Sequence, residues 1–321
     1  MPAAALGLLN RTQRGFPLVP RPYAALGREH GLSEAEVLGA YRDSRTRGVL
    51  ARVGVLFRPN TIGASTLAAL AVPQGDLERV AALVSAQPGV NHNYEREHRW
   101  NLWFVATGDT PARVEASLQA IERASALPAL RCPLLEEYHI DLGFDLRDGS
   151  VPREPRRVDR VEPGAAERRL AAALAEGIPL SPRPYALLGL QAGMPEAEVI
   201  ATLARWLERG VARRIGAVLR HRRLGWRANA MAVWDVPDGE VRALGARAAR
   251  DGAVTLCYRR ARSPGWPYNL YCMIHGRSRA RTQSELARLA AQTGLARFPD
   301  AVLFSRRCFA QRAARYGAAH G

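Results

Sequence analysis

The stretch GFPLVPRPYAALG at Gly15–Gly27 decides the fold, because it returns almost unchanged as GIPLSPRPYALLG at Gly177–Gly189. The tyrosines of these two stretches, Tyr23 and Tyr185, lie 162 residues apart. Self-similarity over so long a distance indicates duplicated domains rather than a solenoid of short repeats. The sequence therefore predicts two related halves.

Further repeated pairs extend through each half. They are SEAEVL (Ser33–Leu38) with PEAEVI (Pro195–Ile200), RGVLARVGVLFR (Arg47–Arg58) with RGVARRIGAVLR (Arg209–Arg220), and NLWFVATG (Asn101–Gly108) with NLYCMIHG (Asn269–Gly276). The last pair is offset by 168 residues, which indicates loop insertions between the two copies.

Each half begins with helical sequence. The prolines of PRPY suit the first turn of a helix. A glycine-bearing turn follows, and a second helix starts at Ser33 in half one and at Pro195 in half two. These second helices are predicted over 34–47 and 196–209, and the pair in each half indicates a helix-turn-helix domain. A strand over Val49–Phe57 is predicted to follow in half one.

The remainder of each half alternates strands and helices in the order βαββαβ, which is typical of a ferredoxin-like domain. Strands are predicted near 66–72, 90–94, 101–107 and 134–142, and near 228–236, 253–259, 269–275 and 301–304; helices near 77–86, 112–125, 239–250 and 282–292. The predicted domains are 1–50 and 165–212 (helix-turn-helix), 51–146 and 213–321 (ferredoxin-like), with a charged, Pro- and Gly-rich linker over 147–164. The predicted fold class is therefore α+β, as a tandem repeat.

The composition favours an anionic ligand. The formal net charge is +16 and all 46 cationic side chains are arginine, since the sequence contains no lysine. Such a charge attracts nucleic acid, an anionic membrane surface or a small polyanion. Without lysine, the chain has neither a Walker-type phosphate lysine nor a Schiff-base lysine. Arginine remains, and its planar guanidinium binds carboxylates and phosphates through two parallel hydrogen bonds.

The four cysteines form no CxxC pair and no iron–sulfur spacing, so we expect reduced thiols and no metal site. Cys257 and Cys272 fall in strand-like segments. The N-terminus has no charged segment before its short apolar run, which argues against a signal peptide. No run of about twenty apolar residues is present, so we expect a cytoplasmic protein without membrane spans.

Histidine is the expected proton donor, because no nucleophile elbow, HExxH motif or paired carboxylates are found. The basic segment RHRRLGWRANAMAVW at 220–234 places His221 before a predicted strand. In half one, His92 and His98 flank NYERE, and in half two His275 ends the strand of NLYCMI. His221 and His275 correspond to Pro59 and Thr107 in the sister half, so the two halves offer different histidines. We expect a single composite site that draws on both halves.

A helix-turn-helix followed by a ferredoxin-like domain resembles the Lrp/AsnC architecture. RPNTIGASTLAALAVP (Arg58–Pro73), VNHNYEREHRWNLWFVATG (Val90–Gly108) and YHIDLGF (Tyr138–Phe144) are similar to the D-type subunit of the sirohaem decarboxylase family. RRIGAVLRHRRLGWRANAMAVWDVP (Arg213–Pro237), CYRRARSPGWPYNLYCMIHG (Cys257–Gly276) and VLFSRRCFAQRAARY (Val302–Tyr316) are similar to its L-type subunit. The resemblance covers nearly the whole chain.

That resemblance implies removal of carbon dioxide from two acetate side chains of sirohaem, which gives didecarboxysirohaem on the route to haem d1. It implies no cofactor beyond the iron of the substrate. Related decarboxylase subunits are conceivable partners, and the two halves could pair as a pseudo-dimer within one chain or assemble as a homo-oligomer. His98 and His221 are the hypothesised catalytic proton donors. The hypothesised substrate-binding residues are His92, Tyr94, Arg96, Arg99, Asn101, Trp103, Arg214, Arg220, Arg222, Trp226, Arg259, Tyr268 and His275.

Two alternatives remain open on sequence grounds. The first is an Lrp/AsnC-like regulator that binds DNA through its helix-turn-helix units and responds to haem. Its second-half helix AEVIATLARWLERG carries few basic residues, and Trp206 suits a core, so we do not expect DNA binding. The second alternative is a haem-binding scaffold without catalysis. Trp103 is likewise open between a ligand-covering and a core position.

Overall fold

The computed structural model describes residues 3–140, 143, 145–146, 163–314 and 316. Half one contains, in order, α1 (Ala3–Arg11), α2 (Pro22–His30), α3 (Glu34–Thr46), β1 (Leu50–Phe57), β2 (Ala64–Leu70), α4 (Leu77–Ala86), β3 (Val90–Arg96), β4 (Leu102–Gly108), α5 (Pro111–Ser125) and β5 (Leu130–Ile140). Half two contains α6 (Ala165–Ala173), α7 (Pro184–Ala192), α8 (Glu196–Glu208), β6 (Ala212–Leu219), β7 (Ala228–Trp234), α9 (Val241–Ala248), β8 (Val254–Arg260), β9 (Leu270–Gly276), α10 (Arg279–Thr293) and β10 (Asp300–Gln311).

The chain divides into two compact units, and each unit draws on both halves. Unit 1 holds the chain up to Ala64, the start of half two up to Leu224, and Tyr316, whereas unit 2 runs from Ser65 through β5 and from Gly225 to Ala314. The units divide after Ala64 and Leu224, beyond β1 and β6, whereas the predicted domain boundaries at 51 and 213 lie at the start of these strands and stay a prediction. The physical reason is that β1 and β6 pair with each other, as an antiparallel two-stranded sheet, rather than with the ferredoxin-like strands. The predicted linker falls almost entirely outside the described residues.

In unit 1, each copy of the repeated PRPY motif starts a helix and places a tyrosine in the core. Its second proline starts α2 and α7, and the tyrosine that follows is fully buried. The Tyr23 hydroxyl donates to the carbonyl of Pro179 at 3.2 Å, and the Tyr185 hydroxyl donates to the carbonyl of Pro17 at 2.7 Å. Each half thus bonds to the GFPLVP-type segment of the other, so duplication of the motif holds the two helix-turn-helix domains together.

The glycine that ends this motif is required by a close approach of the backbone. A Cβ on Gly27 would lie 2.4 Å from the carbonyl oxygen of Leu32, and one on Gly189 would lie 2.4 Å from that of Met194. The turns that follow α2 and α7 pass directly over Gly27 and Gly189. The next helix, α3, begins with a capping box in which Ser33 and Glu36 exchange hydrogen bonds, as its sequence predicts.

Unit 2 is a closed eight-stranded antiparallel barrel in the order β10-β3-β4-β2-β5-β8-β9-β7. Four consecutive strands come from each half, and within each half the second, third, first and fourth strands are neighbours, which is the ferredoxin-like order. The halves join twice, since the last strand of each pairs with the second strand of the other, as β10 with β3 and β5 with β8. The barrel is therefore a pseudo-dimer within one chain.

Alternation along the strands separates two cores in unit 2. Trp103, Met231, Tyr258 and Tyr271 belong to the inner core between the two sets of strands. Ala232, Trp234 and their neighbours face outward and pack against α9 and α10. Cys257 and Cys272 are buried in β8 and β9 as free thiols, as expected.

Most predicted elements agree with the structure to within a few residues, and β10 is the main exception. It was predicted over 301–304 but extends over Asp300–Gln311. The extension arises because its first part pairs with β7 and its second part with β3 of the other half. That second pairing is a contact between the halves, which the local pattern does not contain. Within the described residues, no helix is both long enough and apolar enough to cross a membrane.

Replacing Gly27 with alanine should lower the free energy of unfolding by about 1–3 kcal/mol, because the new methyl group overlaps the Leu32 carbonyl. Gly39→Ala in α3 is the matched control, since a Cβ there meets nothing within 4 Å. It should stabilise the protein by about 0.5–1 kcal/mol through helix propensity. Urea unfolding of both variants gives the comparison, and equal stability of Gly27→Ala and wild type would contradict the packing described.

Candidate active site

Arg96, at the end of β3, is a cation buried inside the barrel. It is 6% exposed, and its Nη1 donates to the carbonyl of Leu303 in β10 at 3.2 Å. The guanidinium lies 5.8 Å from the ring centroid of Tyr94, and its buried Nε has no hydrogen-bond partner in the described chain. Burial lowers its pKa to about 10. A buried charge without an opposite charge costs several kcal/mol, so this position favours an anion.

Three other arginines of unit 2 are already paired with carboxylates. Arg259, on the outer face of β8, forms an ion pair with Asp238 at 2.8 Å. Arg262 pairs with Asp235 at 2.8 Å and with Asp238 at 3.0 Å. Arg279 pairs with Glu97 at 2.7 Å. Arg259 was expected to bind substrate, but binding a carboxylate there would first require its ion pair to break.

Arg260 is the half-two counterpart of Arg96. Its Nη1 donates to the carbonyl of Cys132 in β5 at 2.7 Å, and its guanidinium lies 4.5 Å from the ring centroid of Tyr258. Each arginine therefore lies over the tyrosine two residues before it and bonds to the last strand of the other half. Arg260 is not among the site residues predicted from the sequence, although the match of YER at 94–96 with YRR at 258–260 could have identified it.

His98 lies in the loop after β3, two residues beyond Arg96. Its Nδ1 accepts a hydrogen bond from the backbone N–H of Trp100 at 3.1 Å, so the neutral ring carries its hydrogen on Nε2. Burial and the adjacent charge of Arg99 lower the pKa of His98. In the free protein His98 is therefore a neutral donor near physiological pH.

The half-one loop of His98 meets the β8–β9 loop of half two. The imidazole packs edge-on against Trp266, with ring centroids 5.2 Å apart, and Arg99 Nη2 donates to the carbonyl of Gly265 at 2.6 Å. Trp266 also contacts Trp103 and Tyr268, at centroid distances of 5.1 and 4.8 Å. Residues of both halves thus form one aromatic cluster, with Trp103 in its core, where it is 1% exposed.

His92 and Tyr94 lie on the same face of β3 as Arg96. Their rings stack at a centroid distance of 6.2 Å. His92 Nδ1 lies 3.0 Å from Asn91 Oδ1, which can only accept, so the neutral ring carries its hydrogen on Nδ1. His92 and His98 therefore have opposite tautomers.

His275 lies at the end of β9, on the strand face that carries Tyr271 and Met273. Its Nδ1 lies 2.9 Å from Thr255 Oγ1 and its Nε2 lies 2.8 Å from Asn229 Nδ2. Ser305 Oγ donates to Asn229 Oδ1 at 3.4 Å, and Ser305 pairs with Arg96 across β10 and β3. Arg96 of half one and His275 of half two are thereby linked within unit 2 through β10.

The remaining predicted residues have other surroundings. Asn101 donates to the carbonyl of Val72 and accepts from its N–H, at 2.8 and 2.9 Å, and Asn269 repeats this clamp on Val236. The structure thus gives Asn101 a structural role. Trp226 is buried beneath the guanidinium of Arg277, which lies 5.0 Å from its ring centroid.

His221, Arg214, Arg220 and Arg222 belong to unit 1. His221 starts a short 3-10 helix that ends at Leu224. Arg214 is 4% exposed and donates to the carbonyls of Gln13 and Ala217, and Arg220 donates to that of Gly48 at 3.3 Å. Arg214 therefore acts within the packing of unit 1. In the described chain, no group of three or more His, Cys, Asp or Glu residues could hold a metal ion.

Family comparisons match both kinds of domain in both halves. Residues 62–138 and 223–310 match the AsnC-like ligand-binding domain, and residues 7–50 and 167–213 match the "Siroheme decarboxylase NirDL-like HTH domain". The siroheme decarboxylase NirDL subunit of Paracoccus denitrificans is 45% identical, over 96% of this chain and 96% of its own length. The chain belongs to the sirohaem decarboxylase family.

Solved structures of this family have the same fold. The crystal structure of the siroheme decarboxylase NirDL aligns with a TM-score of 0.70 at 26% identity, covering 98% of this chain and 94% of that one. NirDL in co-complex with an iron-uroporphyrin III analogue aligns with a TM-score of 0.68 at 28% identity and the same coverage. The predicted family, its fused D-type and L-type composition, and the tandem Lrp/AsnC-like fold are confirmed.

His221 should make stability depend on pH. Burial and the charge of Arg214 lower its pKa to about 4, whereas an unfolded histidine has a pKa of about 6.5. The unfolded chain therefore binds the proton first, and stability is lost as pH falls from about 6.5 towards 4. In His221→Gln, the slope between pH 6 and 5 should shrink by up to about 1.4 kcal/mol per pH unit. Urea unfolding at both pH values measures this, and an unchanged slope would contradict it.

Proposed function

We propose that this chain decarboxylates sirohaem, as its family membership implies, in a site that both halves build inside the barrel of unit 2. The main support for this location is the surroundings of Arg96, whose guanidinium is buried and has no carboxylate partner among the described residues. Sirohaem carries eight carboxylates on a flat macrocycle. A basic chain without lysine, with aromatic residues beside its buried arginine, suits such a ligand.

The proposed reaction converts each of two acetate side chains to a methyl group. The bond between the methylene carbon and the carboxylate breaks, and carbon dioxide leaves. The electron pair of the broken bond enters the conjugated ring. The methylene carbon then gains one proton, so each step consumes one proton and releases one carbon dioxide without a redox partner. The protein has to hold the carboxylate, keep water out and deliver the proton.

Arg96 is proposed to hold a substrate carboxylate. The guanidinium of Arg96 is already removed from water in the folded protein. Binding of a carboxylate therefore does not have to include the desolvation free energy of the guanidinium. Tyr94 and His92 extend the same face of β3, and Tyr268 and Arg99 border the aromatic cluster. These residues are proposed to line the substrate site.

His98 is proposed to deliver the proton. Its Nε2–H is the available donor, since Trp100 occupies Nδ1. Burial and Arg99 disfavour the imidazolium in the free protein. A bound polycarboxylate adds negative charge nearby, which raises the proton affinity of the ring and favours the acid form when it is needed. Proton transfer by a positioned histidine typically contributes about 10²–10⁴-fold to the rate.

His221 remains a proposed second proton donor on the evidence of the sequence. Its lowered pKa makes the ring neutral at physiological pH, and the same response to an anionic ligand would apply to it. The regulator alternative receives no support from α8, in which Trp206 is buried against Phe57, and Arg205 pairs with Glu167 at 3.3 Å.

Anaerobic incubation of the purified protein with sirohaem should give a product lighter by two carbon dioxides, as measured by mass spectrometry. His98→Ala and His221→Ala should each abolish product formation while the proteins stay folded. Wild-type turnover in either variant would remove that histidine from the mechanism. Absence of turnover in the wild type, together with salt-dependent DNA binding in a gel shift, would support the regulator instead.

Arg96→Gln should raise KM for sirohaem by about 10–100-fold, because a hydrogen bond between charged groups contributes about 1.5–3 kcal/mol. Arg262→Gln is the matched control: it removes an arginine of the same unit that is already paired with Asp235 and Asp238, and KM should stay within about twofold of wild type. Steady-state kinetics under anaerobic conditions distinguish the two. Equal KM values for the variants would place the carboxylate elsewhere.

A further inference from the structure

Asn229 is a polar residue on the inner face of β7, where it precedes Met231 and Val233 of the inner core. Its described partners are His275, to which Nδ2 donates, and Ser305, from which Oδ1 accepts. Its half-one counterpart is Ser65, since Val72 and Val236 occupy equivalent clamps on Asn101 and Asn269. Asparagine at this position therefore belongs to half two alone.

A directed chain of hydrogen bonds fixes the orientation of the Asn229 amide. The single hydroxyl hydrogen of Thr255 goes to the carbonyl of Met273 at 3.0 Å. Thr255 Oγ1 must then accept from His275 Nδ1–H at 2.9 Å, which leaves Nε2 of the neutral ring as an acceptor. Asn229 Nδ2, at 2.8 Å, is the donor that Nε2 requires.

The backbone of the barrel fixes the position of Thr255, the first residue of this hydrogen-bond chain. Thr255 lies at a β-bulge, between Val254, which pairs with Ile274, and Leu256, which pairs with Met273. A bulge inserts one extra residue and redirects its side chain, and here the hydroxyl of the buried Thr255 lies 2.9 Å from His275 Nδ1. Half one has Thr107 where half two has His275, and the Thr107 hydroxyl donates to the carbonyl of Gly89 instead.

The amide NH2 group has two hydrogens, and His275 takes one of them. The second hydrogen has no acceptor in the described chain, and it lies on a part-buried side chain on the inner face of the barrel. Only β10 separates its strand from that of Arg96, because Ser305 of β10 pairs with Arg96 and its hydroxyl donates a hydrogen bond to Asn229 Oδ1. A ligand with several carboxylates can therefore meet Arg96 and Asn229 together.

We propose that Asn229 donates a hydrogen bond to a carboxylate of the bound tetrapyrrole, and that His275 and Thr255 are positioning residues that keep its NH2 group directed to the ligand. This inference rests on the proposed function for the identity of the ligand. His275 acts through its tautomer: a hydrogen on Nε2 would reverse the amide and present Oδ1, which repels a carboxylate.

Three variants test the inference, with the dissociation constant of sirohaem measured anaerobically from its absorption spectrum. Asn229→Asp removes the donor and adds a negative charge, and should weaken binding by about 100-fold or more. Thr255→Val keeps the shape but removes the acceptor for His275 Nδ1–H, and should weaken binding by about tenfold. Thr107→Val, the matched control in half one, should bind like the wild type.

Nitrogen NMR of the ligand-free protein gives a second readout that does not depend on sirohaem, with His275→Gln used to assign the signal. His275 should carry its hydrogen on Nδ1 in the wild type and shift towards Nε2 in Thr255→Val. Wild-type affinity in Asn229→Asp, with normal sirohaem binding by the wild type, would overturn the inference alone. An Nε2–H tautomer in the wild type would overturn the positioning role, and a wild type that fails to bind sirohaem would overturn the proposed function as well.

Discussion

The reciprocal pairing of β10 with β3 and of β5 with β8 is the interaction on which the rest of the structure depends. Each pairing joins one half to the other, so the two sets of four strands close into a barrel without exposed edges. Closure also creates the interior in which Arg96 reaches the Leu303 carbonyl and Arg260 reaches that of Cys132. Both guanidiniums therefore depend on the pairing of the two halves for their surroundings.

The fold was largely predictable because its determinants are local and occur twice. The PRPY stretches, the Ser33 cap and the strand alternation all act over a few residues, and duplication confirmed each reading in the other half. The division of the chain after Ala64 and Leu224 and the full length of β10 have a common cause. Both depend on which distant strand pairs with which, and no local pattern records that β1 pairs with β6 or that β10 continues onto β3.

The residue types of the proposed site follow from the sequence, but which individual residues form it depends on the tertiary structure. The lysine-free composition directed attention to arginine, and the lack of other motifs directed it to histidine. Whether an arginine is available, however, depends on its tertiary partners. Arg259 has Asp238, whereas Arg96 has a carbonyl and a tyrosine ring but no carboxylate among the described residues. Asn229 and Thr255 escaped notice because their importance comes from a hydrogen-bond chain across β7, β9 and a bulge in β8.

Residues of both halves are proposed to hold the tetrapyrrole inside the barrel of unit 2. A crystal structure of this protein with sirohaem bound under anaerobic conditions tests it most directly. We expect one substrate carboxylate within hydrogen-bond distance of the Arg96 guanidinium and another at Asn229 Nδ2. Sirohaem bound with neither residue in contact with a carboxylate would contradict it.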